Sequence, residues 1–505
     1  MAKATSDTCC LTLPLKLEKW QEDRLAKRLK IARQIYNTLL HFELKKLRRL
    51  EASEEYLAIQ EKLKEVTDKT ERNKLYKQLD KLRRDTGFTE YAFKTDIKEF
   101  YKHFSDNIGS AVAVHGIAAQ VWVAFDKLFY GSGKAVHFKR HGELNSLRGY
   151  SVAGKSGGVE IMFRETYIEW KGLKLPIKLD PNNAYEQEML QYRIKYCRII
   201  RKPEKSKNHW YVQLSLEGKP VIKCNKETGE ILHPVGSGAV GIDIGPQTIA
   251  YASESEVALK ELADQVNNIE QEKRILQRKL DRSRRATNPD NYNPDGTIKR
   301  GVKLTRNKSK RYQKCQRELA DIQHRQADIR KRQHNELANH LLSLGNRFYV
   351  EDMEWPALTH RAKKTEVSEK TGRFKRKKRF GKSIANKAPA TLTNLLDLKL
   401  KSRGLGGVVH VDTKVRASQY NHLTDDYHKK ELNERWNAMP DGRRIQRDLY
   451  SAFLLQHMNE KLDGFDKEAL TRDYEQFAAL HDDCIDALKK APKTLASMGI
   501  VRRTS

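Results

Sequence analysis

The chain contains few cysteines, and their spacing fits neither a disulfide framework nor a cysteine-ligated zinc site. Six cysteines occur among 505 residues, and no two of them form a Cys-x-x-Cys pair. The sequence therefore predicts a reducing compartment without structural zinc. We expect the protein in the bacterial cytoplasm, in association with the nucleoid.

Long apolar runs are also lacking. We find no stretch near the roughly 18 apolar residues that a membrane-spanning helix needs. Residues 1–17 also lack the apolar core of a signal peptide. These absences argue against a membrane protein and against a secreted one.

Acidic residues are too few to balance the basic ones. The chain has 97 Lys and Arg residues but only 66 Asp and Glu residues, so its formal net charge is +31. Such an excess repels itself in a compact protein and is usually neutralised by a polyanion. Nucleic acid is the first candidate and an anionic membrane surface the second. The membrane surface is disfavoured because we find no amphipathic helix with a one-sided Lys/Arg face and Trp anchors.

The apolar pattern predicts a multidomain α/β protein. Leucines alternate with other residues near the start of the chain, as in a strand, and helical periodicity follows. The predicted segments are a first strand in 1–17, a basic helical lobe in 18–144, a β-rich module in 145–236, an α/β segment in 237–412 that contains a helical hairpin over 255–345, a polar segment in 413–444, and a helical segment in 445–505. We expect the first strand to join the sheet of the β-rich module, and the hairpin to carry a mobile basic tip.

Three carboxylates stand out by their positions. Asp243 lies inside an apolar strand, Glu351 ends another, and Asp448 lies in the first turns of an amphipathic helix. Each alone is more often a cap or a solvated acid, but together, in a chain of charge +31, they predict a metal site. Burying a carboxylate is costly without a compensating cation, and carboxylate oxygens suit Mg²⁺ or Mn²⁺. Two such ions are the arrangement that phosphodiester hydrolysis uses.

The order of the motifs around these acids resembles a known family. IDIG (242–245), YVED (349–352) and QRDLYSA (446–452) are similar to the three split motifs of RuvC-like nucleases with the RNase H fold. The surrounding layout, including FYGSGKAVHFKR (129–140), resembles transposon-encoded TnpB proteins and compact type V CRISPR effectors. The resemblance implies a RuvC-like nuclease domain split by helical insertions. It also implies a helical recognition lobe and a small β-barrel-like wedge module ahead of that domain.

The resemblance further implies an RNA-guided DNA endonuclease. In that family a guide RNA, from a CRISPR array or a transposon, pairs with one strand of double-stranded target DNA, and one metal site cuts both strands. By motif, Asp243, Glu351 and Asp448 would be the catalytic residues and the Mg²⁺ ligands. Two alternatives stay open: an RNA-guided DNA-binding protein without cleavage, acting as a repressor or recruiter, and a guide-free RuvC-type nuclease or transposase.

The chain departs from the family pattern before and within the third motif. Family members usually carry a four-cysteine zinc ribbon there, whereas residues 417–436 contain no cysteine. We expect this target-nucleic-acid-loading segment, within 413–444, to be held by packing of Tyr420, Tyr427, Leu432 and Trp436. The third motif itself reads Asp-Leu-Tyr-Ser-Ala where many relatives have Asp-x-Asn-Ala-Ala.

A second candidate for the third acid lies further along the chain. HDDCIDAL (481–488) somewhat resembles the third motif of related RuvC nucleases and nominates Asp486, with His481. We favour Asp448 because it follows the segment 413–444, the place that the third acid has in the family.

Two basic segments are predicted to contact nucleic acid. Their Lys and Arg side chains would neutralise phosphates and make binding depend steeply on salt. The candidates are Lys134, Lys139 and Arg140 in the first segment, and Arg373, Lys375, Arg376, Lys377 and Lys378 in the second.

Overall fold

The computed structural model describes most of the chain, and that part forms two compact units. The described residues are 7–131, 133–150, 160–204, 207–225, 227–360, 367–368, 372, 380–431 and 433–501. The units are Met1–Ile222 and Lys223–Ser505. The division falls earlier than the boundary between 236 and 237 that the sequence predicts.

The helices of the first unit lie between its first and second strands, apart from one short helix further on. They are α1 (Lys19–Glu51), α2 (Glu54–Glu65), α3 (Lys69–Asp85), α4 (Glu90–Asp96), α5 (Lys98–Tyr101), α6 (Ala119–Phe129) and α7 (Ala184–Leu190). In α1, Leu25, Leu29, Ala32 and Leu39 are buried at three- and four-residue spacings, as the helical periodicity predicts.

Two antiparallel sheets complete this unit. Its strands are β1 (Thr8–Pro14), β2 (Ser146–Tyr150), β3 (Ile161–Arg164), β4 (Tyr167–Trp170), β5 (Leu173–Pro176), β6 (Ile194–Glu204) and β7 (Lys207–Glu217). One sheet has the order β1-β7-β6-β2 and the other β3-β4-β5. Because β1 pairs with β7 from Thr8↔Glu217 to Pro14↔Tyr211, the first strand shares a sheet with the β-rich module.

One apolar stretch is longer than the sequence analysis predicted. Val112–Phe129 is long and apolar enough, by length and composition, to cross a membrane, so the expectation that no run approaches this length is wrong. It comprises a π-helical segment, Val112–Ala118, followed by α6. Its residues Ile117, Val121 and Phe125 are buried in the core of the unit, so core packing accounts for the apolar composition.

The second unit is built on a five-stranded sheet. Its strands are β8 (Ala239–Ile244), β9 (Thr248–Ala252), β10 (Val257–Glu261), β11 (Arg347–Glu351) and β12 (Val408–Val411), in the order β10-β9-β8-β11-β12. The pairs β8/β9 and β9/β10 are antiparallel, whereas β8/β11 and β11/β12 are parallel. Parallel neighbours need long crossovers, and helices supply both of them.

The helices and short hairpins of this unit surround the sheet. They are α8 (Glu270–Thr287), α9 (Lys310–Leu344), α10 (Trp355–Thr359), α11 (Gly381–Lys387), α12 (Pro389–Ser402), the hairpins β13 (Tyr420–Asn421) with β14 (Asp426–Tyr427) and β15 (Trp436–Ala438) with β16 (Arg444–Gln446), α13 (Arg447–Gln456) and α14 (Lys467–Lys490). Residues of α9 and α12 share one apolar core with Val240, Ile242 and Phe348 of the sheet. Residues of α13 and α14 share another core with Ala250 and Ala252. The sheet is therefore buried on both faces.

The predicted helical hairpin begins later than expected. Residues 257–261 form β10 instead of the start of a helix. The reason is that this strand is buried on both faces: Val257 and Leu259 pack in one core and Ala258 in the other. Such a strand lacks the polar alternation that distinguishes a strand from a helix. The hairpin itself consists of α8 and α9, with Leu276 and Ile322 buried between them.

Candidate functional site

Two of the predicted acids lie side by side at one end of the sheet. Glu351 is the last residue of β11, and Asp243 is the fifth of the six residues of β8. The parallel register pairs Tyr349 with Gly241 and Val350 with Ile242, so Glu351 comes next to Asp243. Since side chains alternate along a strand, both acids face the same side as Gly241 and Tyr349.

Gly241 identifies that side as the one covered by α13. A Cβ atom added there would lie 2.9 Å from the carbonyl carbon of Leu455, and closer still to Ala452 O and Gln456 N. Only glycine permits this approach of helix to strand. From this contact, Asp243 is two residues along β8, about 7 Å, and Asp448 is four residues back along α13, about 6 Å. The close contact thus allows the two acids, from opposite ends of the unit's sequence, to meet.

The charges of the three acids act on one another. The pKa of Asp243 is raised well above its ordinary value, first by burial and then by the negative charges of Asp448 and Glu351. Arg447 and Arg435 oppose this shift. Burial also raises the pKa of Glu351. The structure therefore brings Asp243, Glu351 and Asp448 into one group that favours an added positive charge.

Two arginines already face the third acid. Arg447 Nε lies 3.5 Å and Arg435 Nη1 3.6 Å from Asp448 Oδ1. The Asp448 side chain is only 14% exposed, so these guanidinium groups compensate a largely buried carboxylate.

A hydrogen-bonded pair that the sequence analysis did not assign holds the first turn of α13. Gln446 is the N-cap: its side-chain Oε1 accepts from Leu449 N at 2.8 Å, and its Nε2 lies 3.4 Å from Asp448 Oδ2. The backbone N–H of Gln446 donates to Nε2 of buried His481 at 2.9 Å. His481 Nδ1 therefore carries the proton and faces Asp482 at 2.8 Å. Gln446 lies in the third motif, and the position of the N-cap before an apolar run was the available signal.

The alternative third acid is placed elsewhere. Asp486 lies on α14 with its side chain 57% exposed, and Lys489 Nζ donates to it at 3.0 Å. The structure groups Asp448, and not Asp486, with the acids of β8 and β11.

The three acids are donors that fit a hard divalent cation. Three carboxylates are the ligands that Mg²⁺ or Mn²⁺ prefers, and their mutual repulsion would be relieved by such an ion. Within the described part of the chain, no group of three or more His, Cys, Asp or Glu side chains is arranged to hold a metal ion. A cation would have to compete with Arg435 and Arg447 for Asp448.

The cysteine-free segment is held by aromatic packing. Tyr420 is buried and stacks on Phe465, with ring centroids 4.8 Å apart, and Tyr427 lies 5.0 Å from Tyr420. Trp436 Nε1 donates to Gly499 O at 2.8 Å. The remaining predicted residue, Leu432, lies outside the described residues.

The structure describes only the first of the two predicted basic segments. Lys139 belongs to a segment pinned on α1, because its carbonyl accepts from Asn37 Nδ2 at 2.9 Å and its N–H donates to Asn37 Oδ1 at 2.9 Å. Lys134 and Arg140 are exposed on the first unit. The second set, Arg373, Lys375, Arg376, Lys377 and Lys378, lies outside the described residues.

Comparisons with known proteins find similar structures. No family model matches the sequence, and no curated protein does. One similar solved structure is described as the cryo-EM structure of the Cas12f1–sgRNA–target DNA complex; the TM-score is 0.42 at 13% identity, over 90% of this chain and 99% of that one. Another is described as the cryo-EM structure of a CRISPR-Cas12f ternary complex, with a TM-score of 0.25 at 13% identity, over 88% and 82% of the two chains. With TM-scores below 0.5, neither similarity carries an argument about this chain.

Proposed function

We propose that this protein is an RNA-guided DNA endonuclease with a single RuvC-like site made by Asp243, Glu351 and Asp448. The observation that carries the proposal is the convergence of three acids from distant parts of the sequence at one end of a sheet. The strand order, three antiparallel strands continued by two parallel ones, supports an RNase H-like domain. The net charge of +31 supports nucleic acid as the substrate.

In this proposal the three carboxylates hold Mg²⁺ or Mn²⁺, as the pair of ions that this reaction class uses. Bound there, the ions would activate water and stabilise the leaving oxygen. Gln446 caps α13 and so holds its first turn, which carries Asp448, while the same helix packs against Gly241 of β8. Arg435 and Arg447 compensate the charge of Asp448, a role that a bound cation would share.

The partners in this proposal are a guide RNA, from a CRISPR array or a transposon, and double-stranded target DNA. Base pairing would supply the sequence specificity, and the protein would read helix shape and charge. The place of action would be the cytoplasm of a bacterium.

A cleavage assay with matched variants tests the proposal. The native RNA that copurifies with the chain is sequenced, and a plasmid carrying its complement is incubated with Mg²⁺, Mn²⁺ or chelator. We expect Asp243→Asn, Glu351→Gln and Asp448→Asn to lose cutting by at least about a hundredfold while they still bind RNA. Asp486→Asn, the control, should cut like the wild type. If Asp448→Asn cuts normally and Asp486→Asn does not, the third acid is wrongly assigned.

One observation favours a second candidate, an RNA-guided DNA-binding protein that does not cut. Asp448 is paired with two guanidinium groups, and among the residues that the structure describes no group of three or more His, Cys, Asp or Glu side chains is arranged to hold a metal ion. Target binding without cleavage under either metal would establish this candidate. Cleavage by a protein that copurifies with no RNA would instead indicate a guide-free nuclease.

A further inference from the structure

The distal part of the helical hairpin concentrates the positive charge of the chain. This hairpin arm, residues 274–317, contains 15 Lys and Arg residues and 3 Asp residues. Its net charge is therefore 15 − 3 = +12, out of +31 for the whole chain. The proposed catalytic site gives these basic residues no role, because Asp243, Glu351 and Asp448 all lie outside the arm.

The cations of the arm are available to a partner. All 15 side chains belong to exposed residues. Among the residues that the structure describes, only three of them form ion pairs: Arg274 with Glu270, and Arg284 and Arg285 with Asp281. A surface with so many uncompensated charges repels itself unless a polyanion covers it.

Two pairs of hydrogen bonds cross the loop at the tip of the arm, the segment that the sequence predicts to be mobile. Buried Asn288 donates to Asn307 O at 3.0 Å and accepts from Asn307 N at 2.8 Å. Asn291 does the same with Thr305, at 2.7 and 2.9 Å. Each amide thus replaces a pair of backbone hydrogen bonds across the loop. The lysines and arginines between these anchors are carried on a defined backbone, which lowers the entropy cost of binding.

The aromatic residues of the arm are not arranged to stack bases. Arg285 covers Tyr292 at 4.7 Å and donates to Gly296 O, and Lys308 lies 5.7 Å from the Tyr312 ring. Recognition would therefore go through phosphates, without reading of bases.

The arm lies at the end of α9 away from the sheet. Helix α9 has 35 residues, about 52 Å at 1.5 Å per residue. It begins at the tip with Lys310 and ends three residues before β11. Helix α9 packs against the sheet near its C-terminal end, through Ala338, Leu341 and Leu342. From Arg317, the last residue of the arm, to Ala338 is 21 residues, about 32 Å along the helix. A nucleic acid on the arm would therefore be bound away from the sheet.

We propose that the hairpin arm binds the guide RNA through the phosphates of its paired regions. The inference rests on the proposed function, since it takes the guide from there. It favours RNA over target DNA because the arm's charge is permanent and self-repelling, so it suits a polyanion that stays bound between turnovers. Target DNA, which enters and leaves, would leave the arm uncovered.

The test uses the full chain, its copurifying RNA as one probe, and a DNA duplex of about 20 base pairs as the other. The arm variant replaces Lys299, Lys303 and Lys308 by Gln. We expect RNA affinity to fall by at least about tenfold, and the slope of log affinity against log salt to become shallower by about 2 to 3, one contact for each lysine. Binding of the DNA duplex should not change.

A matched variant replaces three exposed lysines of the C-terminal region, Lys461, Lys490 and Lys493, by Gln. It has the same change in charge, and its RNA affinity and salt slope should stay at the wild-type values. An equal loss of RNA affinity in both variants would mean that the arm contributes only non-specific electrostatic attraction, and this would overturn the proposal. So would a loss confined to the DNA probe.

A third variant tests whether the hydrogen bonds across the tip contribute to RNA binding. Asn291→Ala keeps every charge but removes the bonds to Thr305, so RNA should bind more weakly while the melting temperature of the protein stays nearly the same. Wild-type RNA affinity in this variant would refute the role of the ordered tip. If no RNA copurifies and added RNA does not bind the wild type, the proposed function itself fails. RNA binding that all variants share would refute only the assignment to the arm.

Discussion

The contact at Gly241 offers the sharpest test of how the acids are brought together. In Gly241→Ala, the new Cβ would stand 2.9 Å from the carbonyl carbon of Leu455 and closer to two further backbone atoms of α13. Carbon atoms in contact are about 3.5 to 4.0 Å apart, and backbone atoms cannot swing aside as a side chain can. The helix must therefore move away from β8 by about 1 Å.

This displacement has two measurable consequences. Overpacking of this kind typically costs about 1 to 3 kcal/mol, so we expect a melting temperature lower by roughly 2 to 10 °C. Since Asp448 moves with the helix, cleavage should fall by about a hundredfold, the usual effect of a 1 Å misplacement. Guide RNA binding should persist, because the hairpin arm, residues 274–317, is a different part of the chain from α13.

Gly406→Ala is the matched control, because no atom lies within 4 Å of its added Cβ. Melting is followed by circular dichroism, and cleavage on a plasmid substrate with Mg²⁺. A Gly241→Ala protein that melts and cuts like Gly406→Ala would show that α13 does not pack on β8 in the way described.

Three further outcomes are expected. Asp243→Asn should raise the melting temperature in chelator, because it removes a buried carboxyl beside two like charges, and it should abolish any rise on adding Mg²⁺; a rise equal to that of the wild type would contradict the metal site. Gln446→Ala should lower cleavage more than Gln446→Asn, which can keep the cap on α13, and equal cleavage rates in the two variants would argue against the positioning role. Burial raises the pKa of Glu43 to about 8, even though Lys46 Nζ lies 2.7 Å from it. Glu43 therefore loses its proton at a lower pH in the unfolded chain than in the folded one. The free energy of unfolding should fall as pH rises from about 4.5 to 8, by at most about 5 kcal/mol. Glu43→Gln should remove that slope, and an unchanged pH dependence of melting would refute the assignment.

Local patterns were sufficient for several elements of the fold. The strands that carry Asp243 and Glu351 and the helix that carries Asp448 were all predicted from the sequence. Their apolar runs and caps are read from neighbours in the sequence. The excess of basic residues is likewise independent of the fold.

Contacts between distant residues decided the rest. The sequence favoured Asp448 over Asp486 only by its place in the order of the family's motifs, whereas the packing of its helix against Gly241 is a property of the fold. The apolar residues of Val257–Glu261 also fit a helical pattern, and only the pairing of this segment with β9 identifies it as a strand. The ordered tip depends on Asn288 and Asn291 reaching residues 14 to 19 positions further on. Sequence alone thus determined which residues carry charge and where many of the strands and helices lie, because these are local properties. Only the tertiary structure decided which charges meet, because burial and close approach arise when distant segments pack.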